Sequence, residues 1–170
     1  DAISFPNIQT TNPSPLLPTN SIFGVMHDMV FAADDDSEIY YTIEGDAPCR
    51  RVIINFYNGK IADCQERSSS QIVLYEGSNN IEIFVEKKPL PCSNVKLKES
   101  LIGILNENGN LGYSPENRST GVWSAYTEAW KFSPSGGVIT PTINWYNSNN
   151  VNSGLCLTDN PSLRNTLPIS

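Results

Sequence analysis

Hydrophobic and polar residues alternate along several short segments of the chain, and this alternation predicts β-strands. From Glu38 to Glu44 the side chains alternate with period two, and the turn residues of 45–48 end the segment. The run RVIINFY at 51–57 predicts a second strand, which Asn58-Gly59 closes as a hairpin turn. Further short strands are predicted at 101–105 and 128–132.

The clearest unit is a hairpin over residues 71–86, QIVLYEGSNNIEIFVE. Two six-residue strands are joined by a turn over 77–80, and in that register Ile72 faces Val85. One face of the hairpin is then almost wholly apolar, as expected for an antiparallel sheet that packs on a second sheet. The other face is mixed and is expected to be half-solvated. It carries Gln71, Val73, Tyr75, Glu82, Phe84 and Glu86.

Short strands, regular turn signals and the lack of a helical period predict an all-β fold. We expect residues 1–136 to form an antiparallel, jelly-roll-like β-sandwich. A linker rich in Ser, Pro and Gly follows at 133–137, and the Trp-bearing segment 141–146 is typical of immunoglobulin-like modules. Since only 34 residues follow Gly136, we expect 137–170 to be a truncated second β module.

The charge of the chain excludes two classes of partner. Eleven Lys and Arg stand against 18 Asp and Glu, which gives a net charge of -7. An acidic surface repels nucleic-acid phosphates and anionic lipid headgroups. We therefore expect no nucleic-acid binding and no electrostatic docking on membranes. No apolar run approaches the roughly 18 residues that a membrane helix needs, so we also expect no membrane insertion.

The cysteines point to an oxidising compartment. The single histidine, His27, lies 22 residues from the nearest cysteine, Cys49, and no cysteine pair has zinc-knuckle spacing. Cys64 and Cys92 lie seven residues before and six residues after the predicted hairpin. If both strands continue outward, these two cysteines meet at one edge of the sheet and form a disulfide. Cys49 and Cys156 are then left over, either unpaired or bonded to a partner outside this sequence.

Five motifs in a fixed order carry a family resemblance: PCRRVIINFYN, Cys64, QIVLYEGSNNIEIFVEKKPLPC, LIGILNENGN and WSAYTEAWKFSPSG. They resemble a domain of large Bacteroidetes surface proteins, the gliding-motility-associated adhesins exported by the type IX secretion system. More distantly, the domain is similar to nidogen-like extracellular domains. The resemblance covers residues 3–136 and implies an extracellular, cell-surface role without catalytic residues. Because such domains carry further strands before Ala2, we expect the chain to be part of a longer protein that continues into an immunoglobulin- or PKD-like module.

The acidic run at 34–38 is the best metal candidate. Calcium takes six to eight oxygen ligands, and Asp34, Asp36 and Glu38 could supply carboxylates. The run lacks the spacing of an EF-hand loop, so a solvated acidic turn is the alternative. No other cofactor is expected.

Aromatic residues near the last predicted strand offer a surface for sugars. Trp130 and Phe132 alternate with Lys131, which predicts that both rings lie in the core. Trp123, in the approach to that strand, is the ring expected to be exposed and available to a ligand.

No catalytic site is expected. Glu82 and Glu86 share a strand face, but residues four apart on a strand are separated by about 13 Å, too far for a retaining glycosidase pair. His27 lies beside Asp28, yet no G-x-S-x-G motif accompanies it.

We therefore predict a non-enzymatic module of a secreted cell-surface adhesin that serves attachment or gliding. It would contact surface polysaccharide or neighbouring modules of the same chain. The resemblance also implies the outer-membrane gliding and secretion machinery as a partner. The alternatives are an accessory module of a secreted polysaccharide-degrading enzyme and a structural spacer in a surface filament.

Overall fold

A computed structural model describes residues 17–33, 35–95 and 99–134. These residues contain no helix, so the all-β prediction is confirmed. The predicted second module, 137–170, lies outside the described residues. The strands, in chain order, are β1 (Ser21–Met26), β2 (Met29–Val30), β3 (Glu38–Glu44), β4 (Arg51–Ile61), β5 (Arg67–Tyr75), β6 (Ile81–Lys88), β7 (Leu101–Leu105), β8 (Gly112–Tyr113) and β9 (Ala125–Phe132).

The strands form two antiparallel sheets that pack as a sandwich. The larger sheet has six strands in the order β2-β4-β5-β6-β9, with β3 also paired to β4, and the smaller sheet has the order β1-β7-β8. Strand β1 approaches β5 so closely that a Cβ on Gly24 would lie 2.8 Å from the side chain of Ile72. The buried core between the sheets comprises Val25, Ile72, Ile83, Val85, Ile102, Trp123 and Ala125.

In the hairpin of β5 and β6, the side chains lie on their predicted faces, but the two strands pair in a different register. Ile72 lies opposite Ile83 rather than opposite Val85, so the predicted pairing is wrong by two residues. A shift by an even number keeps every side chain on its expected face. The apolar face accordingly packs in or against the core, through Ile72, Leu74, Ile81, Ile83 and Val85.

The turn of this hairpin explains the shift. The backbone N–H of Tyr75 donates to the carbonyl of Asn80 (3.0 Å), so the four-residue loop is 76–79 and not 77–80. Within it, Gly77 and Asn79 have φ angles of 85° and 54°. Gly and Asn adopt this left-handed conformation with the least strain.

The Asn58-Gly59 pair does not turn the chain, and the predicted hairpin there is wrong. Strand β4 continues through the pair to Ile61, and its register with β5 shifts at this point. Asn58 has a φ of 54°, and its N–H donates to the hydroxyl of Ser69 (3.0 Å). A Cβ on Gly59 would lie 2.6 Å from the ring of Phe31. The same conformational freedom that suits a hairpin turn here forms a β-bulge.

Strand β9 starts at Ala125, three residues before its predicted start. Thr127 has a φ of 55°, which is rare for a β-branched residue and changes the alternation of the strand. Before Thr127, the odd-numbered residues Trp123 and Ala125 are buried in the core. After Thr127, the side chains that point inward are at even-numbered positions. The rings of Trp130 and Phe132 pack against the core, as the sequence predicts.

The mixed face of the hairpin is largely buried, so its expected half-solvation is wrong. Val73 packs with Ile53 and Tyr75 in a second cluster on this face. Buried polar residues on the face bond to one another. The amide of Gln71 donates to Asn55 (2.6 Å), and the Tyr75 hydroxyl donates to Glu82 (2.8 Å). These hydrogen bonds offset the cost of removing polar groups from water.

Candidate functional site

An open cleft lies between the two sheets at the end of the sandwich where β1 begins and β7 ends. Its volume is about 330 Å³. Ligand pockets in proteins start at about 300 Å³, so the cleft has room for one sugar ring or one large side chain. The walls are mostly apolar and comprise Asn20, Ser21, Ile22, Ile81, Ile104, Leu105, Asn106, Leu111 and Tyr113.

The loop between β7 and β8 forms one wall of this cleft and is held by its first residue. The carboxamide oxygen of Asn106 accepts hydrogen bonds from the backbone N–H groups of Asn110 (3.1 Å) and Leu111 (3.2 Å). The Asn106 carbonyl also accepts from the backbone N–H of Asn20 (2.8 Å), which joins the loop to the start of β1. Gly109 supplies the left-handed φ of 66° that the turn needs. The wall is therefore preorganised, which lowers the entropy cost of binding a ligand.

The rim of the cleft presents an aromatic ring. Tyr113 lies opposite Ile104 in the β7–β8 pair, and its side chain is 54% exposed. Leu111 beside it is also exposed. An aromatic face over an apolar floor suits the C–H face of a sugar, and the Tyr113 hydroxyl and the Asn20 amide can exchange hydrogen bonds with sugar hydroxyls.

None of the cleft residues is predicted from the sequence. They come from β1, β6, β7, β8 and the adjoining loops, and β1, β6 and the β7–β8 pair are remote from one another in the chain. The sequence feature nearest to a signal for the cleft is the turn-rich run from Asn106 to Gly112, and this run predicts only a loop.

In the acidic run, the described carboxylates of Asp35 and Asp36 contact basic and amide groups. Asp34 lies outside the described residues. The guanidinium of Arg67 contacts Asp35 (3.3 Å) and Asp36 (3.2 Å), and the Asn58 amide donates to Asp36 (2.7 Å). Hydrogen bonds from Ser37, and then Arg67, lower the pKa of Asp35.

Glu38, the third proposed calcium ligand, opens β3. The described residues contain no group of three or more His, Cys, Asp or Glu placed to hold a metal ion. Calcium binding by Asp34, Asp36 and Glu38 stays a prediction.

Trp123 does not present its ring to solvent, and this expectation is wrong. The side chain is only 8% exposed and belongs to the core, and its indole N–H donates to the carbonyl of Ser100 (3.0 Å). Two cations lie against the ring, the Lys88 amine at 4.7 Å and the Arg118 guanidinium at 4.6 Å from its centroid. The positive φ of Thr127 lies between this part of the chain and the later part of β9, where the alternation differs.

A cluster of basic groups surrounds Trp123, and no motif in the sequence predicts it. The buried Lys88 amine donates to the carbonyl of Trp123 (2.6 Å). Burial, with the charge of Arg118 as a second cause, lowers the pKa of Lys88 to about 8. Burial, followed by the charge of Lys88, lowers the pKa of His27 to about 3. Arg118 itself is paired with Glu128, whose carboxylate accepts from its Nε at 2.7 Å.

The predicted disulfide between Cys64 and Cys92 is confirmed. Their Cα atoms are 5.6 Å apart, and the two residues pack with Ile61 and Val95 beyond the end of the hairpin. Cys49 is also disulfide-bonded, whereas Cys156 lies outside the described residues.

These features define the class of protein as a disulfide-bonded extracellular β-sandwich domain. The described residues include no helix of the length and apolarity needed to cross a membrane. The family model for NIDO-related domains matches residues 2–140, so the chain belongs to the NIDO-related family of nidogen-like domains. Comparison with curated proteins and with solved structures gave no significant match.

Proposed function

We propose that this domain is a non-enzymatic recognition module of a secreted cell-surface adhesin and that it serves attachment or gliding. Membership of the NIDO-related family and the disulfide support an extracellular module. The resemblance of the motif order to that of type IX-exported Bacteroidetes adhesins supports the cell-surface role. Immunofluorescence on intact cells, with antibody to the domain, tests surface display. Attachment and gliding assays on a strain that lacks the domain test its role.

The open cleft is the observation that carries the recognition function. It combines an apolar floor, a preorganised loop and the exposed ring of Tyr113. Its volume of about 330 Å³ fits one sugar unit of a longer chain. We infer that the domain contacts polysaccharide by seating one sugar ring against Tyr113.

Retention on immobilised polysaccharides tests this proposal. Wild-type protein is expected to be retained on at least one polysaccharide, and Tyr113→Ala is expected to weaken binding about tenfold or more. Tyr126→Ala is the matched control, since that tyrosine is 60% exposed on β9 and does not line the cleft. Retention that both variants keep would remove the cleft as the site. No retention on any polysaccharide would instead favour the spacer role.

A further inference from the structure

Strand β3 forms an edge of the six-stranded sheet. Over all seven residues, Glu38–Glu44, it pairs with β4 on one side. No strand among 17–33, 35–95 and 99–134 pairs with its other side. Within the described part of the chain, that side therefore presents a row of backbone N–H and C=O groups.

The edge strand also has an open apolar face. Ile39, Tyr41 and Ile43 share that face and are 53%, 69% and 60% exposed. Strand β1 of the smaller sheet packs against β5 and β6, and β4 lies between these strands and β3. Three large side chains at alternate positions form a continuous apolar row along a bare strand.

The strand lacks the usual protection of an edge. Natural edge strands commonly carry a proline, an inward lysine or a bulge, which prevents pairing with other chains. The sequence EIYYTIE contains neither proline nor lysine, and its register with β4 runs without a shift. No proline, lysine or bulge within β3 therefore blocks a further strand, and its charged residues, Glu38 and Glu44, lie only at its two ends.

The charges around β3 specify the kind of strand that would fit. Glu44 is bonded to Arg51 (2.9 Å), but Glu38 and Asp46 have no ion pair within the described part of the chain. Glu38 opens the strand, and Asp46 lies two residues beyond its other end, in the turn that follows Gly45. A second copy of β3 has no Lys or Arg in its sequence EIYYTIE, so it offers no cation to either carboxylate.

We propose that β3 is a docking edge for an extended segment of a partner protein, which adds a strand to the larger sheet. The segment has apolar side chains at alternate positions and a Lys or Arg at each end. Backbone hydrogen bonds would supply affinity, and the apolar row with its two terminal carboxylates would supply specificity. Since a strand rises about 3.4 Å per residue, the two cations should be about six to eight residues apart.

A labelled synthetic peptide tests the proposal by fluorescence anisotropy. The probe has the sequence KVTVSVTVK, and its controls carry Glu at both ends or Pro at the centre. We expect wild-type protein to bind the Lys-ended peptide and to bind either control at least tenfold more weakly. Equal binding of the Glu-ended peptide, or no binding of the Lys-ended one, would overturn the proposal.

Variants of the protein locate the site. Tyr41→Ser is expected to weaken binding at least tenfold, whereas Tyr126→Ser, at an equally exposed tyrosine, should leave it unchanged. The double variant Glu38→Gln/Asp46→Asn should weaken binding and reduce its dependence on salt. Sedimentation that shows a dimer dissociated by Tyr41→Ser would identify a second copy as the occupant and so refute the proposal.

Discussion

Lys88 occupies a position that its side chain rarely takes, since lysine is almost never fully buried without a partner charge. The carbonyls of Trp123 and Pro89 accept hydrogen bonds from its amine, and the Trp123 ring lies against it. By strict alternation along β6, Lys88 would be the last residue of the outward-facing set. A one-residue register shift between β5 and β6 turns it inward, because Ser70 faces Val85 whereas Ser69 faces Lys87.

The buried lysine gives the first residue-scale prediction. The pKa of Lys88 is about 8 in the folded protein against 10.5 for an unperturbed lysine, so the unfolded state binds more protons between these values. Stability should therefore rise with pH from about 8 to 10.5, by about 3 kcal/mol at most. Urea unfolding at pH 7.5, 9 and 10 should show this rise in wild type and in the exposed-site control Lys87→Met. Lys88→Met should lack it, and parallel curves for all three proteins would contradict the prediction.

His27 gives the second residue-scale prediction. Its Nε2 is buried and has no hydrogen-bond partner among the described residues, and its pKa is lowered to about 3 in the folded protein. The unfolded state gains a proton as pH falls through about 6.5, so folded stability is lost between pH 6.5 and 3. It is the single histidine, so its imidazole resonances are unambiguous in NMR spectra. They should stay in the neutral position from pH 8 to 4.5 and should titrate near 6.5 in urea. Native titration near 6.5 would refute the burial of this ring.

At the level of elements, the hydrophobic pattern located β3, the first part of β4, β5, β6 and β7, but it could not show where a strand bulges or changes its alternation. Asn58 interrupts the alternation inside β4, and the sequence therefore predicts a turn there. Thr127 interrupts the alternation inside β9, and the predicted start of that strand is therefore three residues too late. Strand β1 has no strict alternation and pairs with β7, far along the chain. Such positions depend on tertiary contacts, as do the cleft residues, which the fold brings together from four strands.

The disulfide gives the element-scale prediction. Cys64 and Cys92 join the segments beyond β5 and β6 across a separation of 28 residues. Replacing both by alanine should lower the free energy of unfolding by about 3–4 kcal/mol, since the unfolded chain regains its loop entropy. Urea denaturation of the double variant measures this loss. Reduction of wild type is not an equivalent test, because Cys49 is disulfide-bonded as well. A loss below about 1 kcal/mol would mean that packing alone holds these segments together.

For the whole molecule, the sequence predicts that the larger sheet has one apolar face and one solvated face, and only the apolar face agrees with this prediction. Its inner face packs on the smaller sheet, as expected, but Val73, Tyr75 and Ile53 form a cluster on the outer face. The smaller sheet also has apolar packing on its second face, where Leu17 and Phe23 are buried together. A single strand shows which residues share a face, but it cannot show what covers that face. This is also why β3 has the alternation of a buried strand and yet has an exposed apolar row.

The shared core predicts that the two sheets unfold together. Ile83 of the larger sheet and Ile102 of the smaller sheet are both fully buried in one cluster. Truncating Ile102 to alanine should lower stability by about 2–5 kcal/mol through lost apolar contact and a cavity. Because the cavity faces both sheets, far-UV circular dichroism and tryptophan fluorescence should give the same urea midpoint in wild type and in the variant. Ile43→Ala, at an exposed apolar residue, is the control and should change stability by less than about 0.5 kcal/mol. Separate midpoints for the two probes would show instead that the smaller sheet melts independently, and the cleft between the sheets would then open before the larger sheet unfolds.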